Sequence, residues 1–288
     1  MKLFKLTTFI LVLLSVSIPT KAQQAKVLNL DSNVYAIHLM GYTSLVVEGS
    51  NEVLITDPAN PYRANLLKNE IKKLTNKPVK KIVLTHEHFD HVGGTEIFEH
   101  AQIIAQQNIQ AIIDLDPLDI FPNKVDIMFD ELLVLDMGTT SIHLKHYGFA
   151  DGVAAILVYL PKEKIALSAD LYTSHGLSAG KYLTNSNLLG IRRLLNILLS
   201  WDLKHAINAH SSETDIKSLA NMTSFYNDLY NTISASLKQI DKYKAFDLMA
   251  EVLKLKKTIK LPKYEKWENY QDLPLYIEKM GFAIIHGG

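Results

Sequence analysis

Cysteine is absent from the whole chain of 288 residues. No disulfide can form, so the fold has to rest on its apolar core and on any metal ion that it binds. The same absence excludes a thiolate as nucleophile or as metal ligand. Histidine, aspartate and glutamate are therefore the side chains from which a metal site would have to be built.

An excess of charge of one sign is also missing, since 30 Lys and Arg residues face 30 Asp and Glu residues. Without residues 1–22, which carry three lysines and no acidic residue, the net charge falls to about −3. A chain without a basic excess lacks the electrostatic pattern of nucleic-acid binding, so we predict no nucleic-acid partner. The apolar fraction of 48% is ordinary for a globular protein and allows a large core.

The apolar run near the N-terminus, Phe9–Leu14, is too short for a membrane span, which needs ~20 residues. It follows two lysines and precedes a segment of small residues that ends at Ala22. The order of charged, apolar and small residues is typical of a secretory signal peptide. We predict cleavage after Ala22, a mature chain of residues 23–288 without a membrane span, and a periplasmic or secreted location.

The periodicity of apolar residues predicts an α/β chain in two successive halves, each with strands followed by helices. The predicted strands span 33–38, 43–48, 53–57, 81–84, 102–105, 131–135, 139–144, 154–160, 164–168 and 205–209. The predicted helices span 63–74, 95–100, 108–114, 187–199 and most of 216–257. This order predicts one domain with two sheets packed face to face, helices outside, and a helical C-terminal extension from about 216 to 288.

Three imidazoles and a carboxylate follow the predicted strand Lys81–Leu84 within six residues, in the segment Thr85-His86-Glu87-His88-Phe89-Asp90-His91. Imidazole and carboxylate together suit Zn, Fe or Mn, and two histidines two residues apart can reach one ion from the same loop. The alternative is a solvated polar loop or an incidental histidine tract. The density of ligands directly after a strand favours a metal site.

The pattern His86-x-His88-x-Asp90-His91 resembles the signature of the metallo-beta-lactamase superfamily, and the resemblance extends over about residues 27–212. It implies a four-layer αβ/βα sandwich with two metal ions at the open edge between the sheets. It further implies that His86 and His88 bind the first ion and that Asp90 and His91 bind the second. Asp90 is also the residue that we predict to be catalytic.

The same resemblance assigns roles at the site to three further residues. Asp170, after a predicted strand, resembles the aspartate that bridges the two ions, and His210 resembles the late histidine of the second ion. Asp57 resembles an aspartate that steadies the histidine loop, with an ordinary turn carboxylate as the alternative.

One ligand position departs from the family pattern. The family pattern has a histidine, the third ligand of the first ion, ahead of a strand that ends in the sequence Tyr-Leu-Pro. Here that strand ends at Pro161, and counting back from Pro161 puts Asp151 at the position of the histidine. Aspartate binds metal through oxygen at about 2.0–2.2 Å, but it is shorter than histidine and adds negative charge. Three outcomes stay open: Asp151 binds the ion, His143 or His146 replaces it, or the first site is weak or empty.

The resemblance implies an exported hydrolase in which a hydroxide held by metal attacks an ester, lactone, thioester or amide-like carbonyl, β-lactams included. The expected cofactor is one or two Zn ions, with Fe or Mn as alternatives, and the expected partner is a small-molecule substrate. The extra carboxylate at Asp151 implies lower activity than a site with three histidines. An iron-dependent redox enzyme and a degenerate metal-binding protein of low activity are the alternative functions.

Overall fold

The computed structural model describes residues 24–287, so the predicted signal peptide lies outside them. Seven strands form the first sheet in chain order, antiparallel from the first to the fourth and parallel from there to the last. These strands are β1 (Lys26–Asp31), β2 (Val34–Leu39), β3 (Tyr42–Glu48), β4 (Val53–Thr56), β5 (Val79–Val83), β6 (Gln102–Gln106) and β7 (Ile127–Phe129).

Five strands form the second sheet, in the spatial order β12-β11-β10-β9-β8. They are β8 (Leu132–Asp136), β9 (Ser141–His146), β10 (Ile156–Leu160), β11 (Ile165–Ser168) and β12 (His205–Asn208). The first four pair antiparallel, and β12 pairs parallel with β11. The strand predictions of both halves are therefore confirmed to within a few residues at their ends.

The helices lie on the two outer faces of the sheets. They are α1 (Pro61–Leu74), α2 (Phe89–Val92), α3 (Ile109–Ile113), α4 (Leu188–Ser200), α5 (Ile216–Leu237), α6 (Ala245–Thr258) and α7 (Leu273–His286). The side chains of Asn60, Asn187 and Asp215 cap α1, α4 and α5 by accepting hydrogen bonds from the first turn. Among residues 24–287, no helix combines the length and the apolar character that a membrane crossing requires.

The predicted helix at 95–100 is wrong. Only a single 3-10 turn, Thr95–Ile97, forms there. Gly94 before it and His100 after it both have left-handed backbone conformations, with φ of 83° and 64°. Because a right-handed helix cannot continue through such residues, the segment is limited to one turn.

Three apolar layers hold the four layers of backbone together. Between the sheets, Leu54 and Val83 of the first sheet are buried in one cluster with Val158 and Leu167 of the second. The outer face of the first sheet packs on α1, and the outer face of the second packs on α4, α5 and α7. The structure is thus the predicted four-layer sandwich of two mixed sheets with outer helices.

The C-terminal ends of four strands meet at one edge of this sandwich. Strands β4 and β5 are parallel neighbours in the first sheet, and β11 and β12 are parallel neighbours in the second. At this edge the Thr43 amide donates to the Ala209 carbonyl (2.6 Å), and the Ile156 amide donates to the Thr85 carbonyl (2.9 Å). The segments that follow these four strands are therefore brought together across the gap between the sheets.

A fully buried arginine, Arg63 of α1, ties together the turns beside this edge. Its Nε donates to the Leu39 carbonyl (3.1 Å) and its Nη2 to the Tyr42 carbonyl (3.0 Å). Its Nη1 lies within hydrogen-bond distance of the Asp57 carbonyl (3.1 Å) and of the Ser44 hydroxyl and Pro58 carbonyl oxygens. One guanidinium thus donates to backbone carbonyls of two separate turns, the one between β2 and β3 and the one that follows β4.

Replacing this arginine tests whether it stabilises the edge. We expect Arg63→Met to lower the free energy of unfolding by about 3–4 kcal/mol, because buried oxygens lose their donor. Urea unfolding followed by circular dichroism in the presence of EDTA measures this without a contribution from metal binding. Lys124→Met, at an exposed lysine, is the control and should change stability by less than about 0.5 kcal/mol. Equal stabilities of the two variants would contradict the role of Arg63.

Candidate metal centre

The histidine loop leaves the end of β5 and turns through α2, which separates its side chains into two directions. His86 and His91 are buried, each with 1% of its surface exposed, whereas His88 and Asp90 are partly exposed. The His91 amide donates to the His88 carbonyl (3.0 Å) and closes the turn. His86 and His88 consequently face one cluster of potential ligands, and Asp90 and His91 face another.

The first cluster contains His86, His88, Asp151 and Asp170, with ligand atoms that all lie within 4.8 Å of one another. His88 Nδ1 is 3.5 Å from Asp151 Oδ2, and His86 Nε2 is 4.0 Å from the same oxygen. His86 Nε2 is also 3.6 Å from Asp170 Oδ2. The structure therefore brings Asp151 next to His86 and His88, the two histidines predicted to bind the first ion.

The second cluster contains Asp90, His91 and His210. The Nε2 atoms of the two histidines are 3.3 Å apart, and Asp90 Oδ2 lies 3.6 Å from His210 Nε2. Asp170 lies between the clusters, since its Oδ2 is 3.3 Å from His91 Nε2 and its Oδ1 is 3.2 Å from His210 Nε2. The seven residues that were predicted to bind metal thus lie close together, and Asp170 lies between the two clusters.

The two alternative histidines of the first cluster lie elsewhere. His146 Nδ1 lies 2.9 Å from the Ala155 carbonyl oxygen, within hydrogen-bond distance. His143 packs edge-on against the Tyr159 ring, with ring centres 6.3 Å apart. Neither belongs to a group of potential metal ligands among the described residues. Asp151, in contrast, belongs to such a group.

Sequence comparison places this site in a known family. Residues 39–214 match the family model of the metallo-beta-lactamase superfamily, which is more than half of the chain. The chain belongs to the metallo-beta-lactamase superfamily. Membership is consistent with a metal-dependent hydrolase. No curated protein matches the sequence.

Solved structures show the same fold. The chain is similar to a metallo-beta-lactamase from Pontibacter korlensis, with a TM-score of 0.61, 19% identity, and coverage of 71% of this chain and 99% of that one. It is also similar to a double mutant of the sec-alkyl sulfatase PisA1, with a TM-score of 0.68, 13% identity, and coverage of 91% of this chain and 50% of the sulfatase. These likenesses concern the fold alone.

Asp57 supports the histidine loop of this superfamily member from behind. Its Oδ1 accepts from the Thr85 amide (2.9 Å), and its Oδ2 accepts from the Thr85 hydroxyl (2.7 Å). The same Oδ2 lies 3.2 Å from His91 Nδ1. A proton on Nδ1 leaves Nε2 of His91 free as an acceptor, which is the nitrogen that points into the second cluster. Of the two readings of Asp57, the structure favours the residue that steadies the loop.

The carboxylates and imidazoles of the site shift one another's pKa values. Burial alone would lower the pKa of His91 and of His210, but Asp170 raises both above the usual value, so a cation that binds these two histidines has to displace their protons. Burial alone would raise the pKa of Asp170, but the charge of His91 and hydrogen bonds from His210 and His91 lower it well below its usual value. Burial, together with the charge of Asp170, raises the pKa of Asp151 to about 6. Burial and the charge of His91 lower the pKa of His86 well below its usual value. Deprotonated carboxylate and neutral imidazole are the forms that bind a cation.

The residues present fit divalent metal ions. His86 Nε2 is buried and has no hydrogen-bond partner, although it points at two carboxylates. Within residues 24–287, the ion pairs of Asp90, Asp151 and Asp170 are all with histidine, so no lysine or arginine neutralises these acids. Nitrogen and oxygen donors in this combination suit Zn, Mn or Fe.

Three residues at the site were not singled out from the sequence. Tyr42 lies beside the second cluster, with its ring centre 4.9 Å from that of His210. Glu87 lies inside the motif, and its carboxylate accepts backbone hydrogen bonds from the loop that carries Asp151. Ser186 donates a hydrogen bond to Asp151. Of the three, only Glu87 could have been noticed in the sequence, because it lies between two histidines that are predicted to bind metal.

The role of Asp57 leads to a prediction about metal affinity. In Asp57→Asn, the amide NH₂ would face His91 Nδ1 and favour the tautomer whose Nε2 carries the proton and cannot bind metal. We expect a loss of about 10- to 100-fold in zinc affinity at the second cluster. Titration against a chromophoric chelator measures it, with Asp126→Asn as the control, because Asp126 binds the Ile103 amide instead. Affinities within twofold of the unchanged protein would rule out this role.

Proposed function

We propose that this chain is a metal-dependent hydrolase that uses two zinc ions to cleave an ester, lactone, thioester or amide-like carbonyl. The observation that supports the proposal is the position of Asp170, which faces both groups of candidate ligands: its Oδ2 lies 3.6 Å from His86 Nε2 and 3.3 Å from His91 Nε2, and its Oδ1 lies 3.2 Å from His210 Nε2. A carboxylate between two sets of nitrogen donors is the arrangement that binuclear hydrolases require.

In this proposal the seven residues are divided between two ions. His86, His88 and Asp151 hold the first ion, Asp90, His91 and His210 hold the second, and Asp170 reaches both. When bound, two such ions would supply a water molecule with a pKa lowered toward ~7 and an electrophile for the carbonyl oxygen.

Asp90 is the proposed catalytic residue. Its side chain is partly exposed, unlike that of His91, so it borders both the cluster and the solvent from which water enters. A carboxylate in this place orients the attacking water by accepting a proton in a hydrogen bond. Tyr42, whose ring lies against His210, forms one wall of the same entrance.

We also propose that the protein is exported to the periplasm or secreted and acts there on a small molecule. The support is the N-terminal sequence, with two lysines, the apolar run Phe9–Leu14 and a cleavage position after Ala22. These residues lie outside the part of the chain that the structure describes.

An iron-dependent redox enzyme is the second candidate. The observation that favours it is the carboxylate of Asp151 in the first cluster, since an additional oxygen ligand suits iron or manganese better than zinc. Iron in the purified protein, with a visible absorption band, would favour this alternative over the hydrolase.

Hydrolysis tests the proposal directly. We expect turnover of at least one member of a panel containing a chromogenic ester, a lactone, a thioester and the β-lactam nitrocefin. The activity should disappear with EDTA and return with zinc, because the ions supply the nucleophile and the electrophile. Absence of zinc-dependent turnover across the whole panel would count against a carbonyl hydrolase.

Asp151→Asn tests the composition of the first cluster. An amide is a poor zinc ligand, so we expect this variant to retain about one zinc ion fewer per chain than the unchanged protein. Elemental analysis after dialysis measures the content. Glu163→Gln is the matched control, because Glu163 is equally buried but binds the Thr140 hydroxyl (2.7 Å). Full metal content in Asp151→Asn would exclude Asp151 as a ligand.

A further inference from the structure

We propose that Glu87 and Ser186 are positioning residues that together hold the Asp151 carboxylate at the first metal cluster. This inference rests on the proposed function, in which Asp151 binds an ion. The two residues act on Asp151 from opposite sides, one through its backbone loop and the other through its carboxylate. They explain how an aspartate serves where the family pattern has the longer histidine.

A short ligand places a strict demand on the backbone that carries it. The carboxylate of aspartate reaches less far from Cα than an imidazole, so a small displacement of the chain takes its oxygens out of bonding range. Asp151 lies between β9 and β10, in a segment without a strand or helix of its own. Its position must therefore be set by contacts with other parts of the chain.

Glu87 supplies the first contact. Its Oε1 accepts a hydrogen bond from the Val153 amide (2.6 Å), and its Oε2 accepts one from the Ala154 amide (3.1 Å). Glu87 lies between the ligands His86 and His88 in the sequence. The histidine loop, which provides two ligands of the first ion, is thus hydrogen-bonded to the loop of Asp151, which provides the third.

Gly152 shows how closely the Glu87 carboxylate packs against the loop of Asp151. Its φ is +101°, a conformation that residues with a side chain rarely adopt. A Cβ at this position would lie 2.4 Å from Glu87 Oε2 and 2.7 Å from Glu87 Cδ. The carboxylate of Glu87 therefore occupies the space of a side chain, and only glycine next to Asp151 allows the contact.

Ser186 supplies the second contact. Its hydroxyl donates to Asp151 Oδ1, and the two residues also form an isolated β-bridge. The neighbouring Asn187 amide donates to the Ala150 carbonyl (2.7 Å). With Oδ1 held by Ser186, the other oxygen of Asp151 is the one that faces His88, at 3.5 Å from Nδ1. One oxygen is thus fixed to the protein and the other is presented to the ion.

The loop that carries Ser186 is itself fastened to the C-terminal segment. The Leu177 amide donates to the Glu268 carbonyl (3.0 Å), and the Gly180 amide donates to Asp272 Oδ2 (2.8 Å). At the end of the loop, Lys279 Nζ donates to the Thr184 carbonyl (3.0 Å). These partners lie beyond residue 214, where the family match ends. Hydrogen bonds with the C-terminal helical extension therefore hold the loop that contains Ser186 in place.

Ser186→Ala is the first test. We expect about a tenfold loss of zinc affinity for the first ion and no change for the second, because only Asp151 loses its hydrogen bond. A two-site zinc titration measures both affinities, and Ser186→Thr should restore the first by keeping the hydroxyl. The control is Ser236→Ala, which removes a similar serine–carboxylate bond, to Glu251 (2.7 Å), between α5 and α6. An unchanged first affinity in Ser186→Ala would overturn the role of Ser186.

Glu87→Ala is the second test, and it separates positioning from general stability. We expect the first zinc affinity to fall by about tenfold or more while the second stays within twofold, since Glu87 contacts the Asp151 loop. Glu87→Gln, which keeps one acceptor, should lie between. Equal losses at both ions, or a lower unfolding temperature with unchanged affinities, would show that Glu87 only supports the fold.

Combining Ser186→Ala with Asp151→Asn shows through which residue Ser186 acts. If it acts through Asp151, the double variant should bind the first zinc no more weakly than Asp151→Asn alone. A loss in Asp151→Asn without a loss in Ser186→Ala would overturn this inference and leave the proposed function intact. Full binding in Asp151→Asn would instead exclude Asp151 as a ligand and overturn both the proposed composition of the first cluster and this inference.

Discussion

The hydrogen bonds of one buried carboxylate, Asp57, are the constraint on which the site depends. Asp57 fixes the backbone and hydroxyl of Thr85 where the histidine loop begins, and it contacts His91 Nδ1 where the loop ends. Its own carbonyl is held by Arg63, and its φ of 42° shows a turn that needs such support. The histidines can converge because both ends of their loop are attached to this residue.

The fold makes this convergence possible, because the strands that carry the ligands end at one edge. Most of that arrangement could be predicted from sequence periodicity, and the candidate ligands that lie at this edge could be named by resemblance. Asp151 is the clearest example, since counting back from Pro161 was enough to locate it. The structure adds that, among residues 24–287, Asp151 lies in a group of potential ligands and that His143 and His146 do not, which a count of residues could not show.

Other features depend on contacts between distant parts of the chain, which periodicity does not show. Glu87 meets its partners 66 and 67 positions away, and Ser186 meets Asp151 from 35 positions away. Arg63 looks like a surface residue of an amphipathic helix, yet it is fully buried among backbone carbonyls. The helix predicted at 95–100 failed for a local reason, the left-handed residues at both of its ends.

The central claim is that two clusters of ligands, joined by Asp170, form a binuclear metal centre with Asp151 in the first cluster. Elemental analysis of the protein, purified without a metal-affinity tag, tests it most directly. The account predicts close to two metal ions per chain. A value close to one would mean that only the cluster of Asp90, His91 and His210 binds metal, and a value close to zero would remove the metal centre altogether; either result would contradict the account.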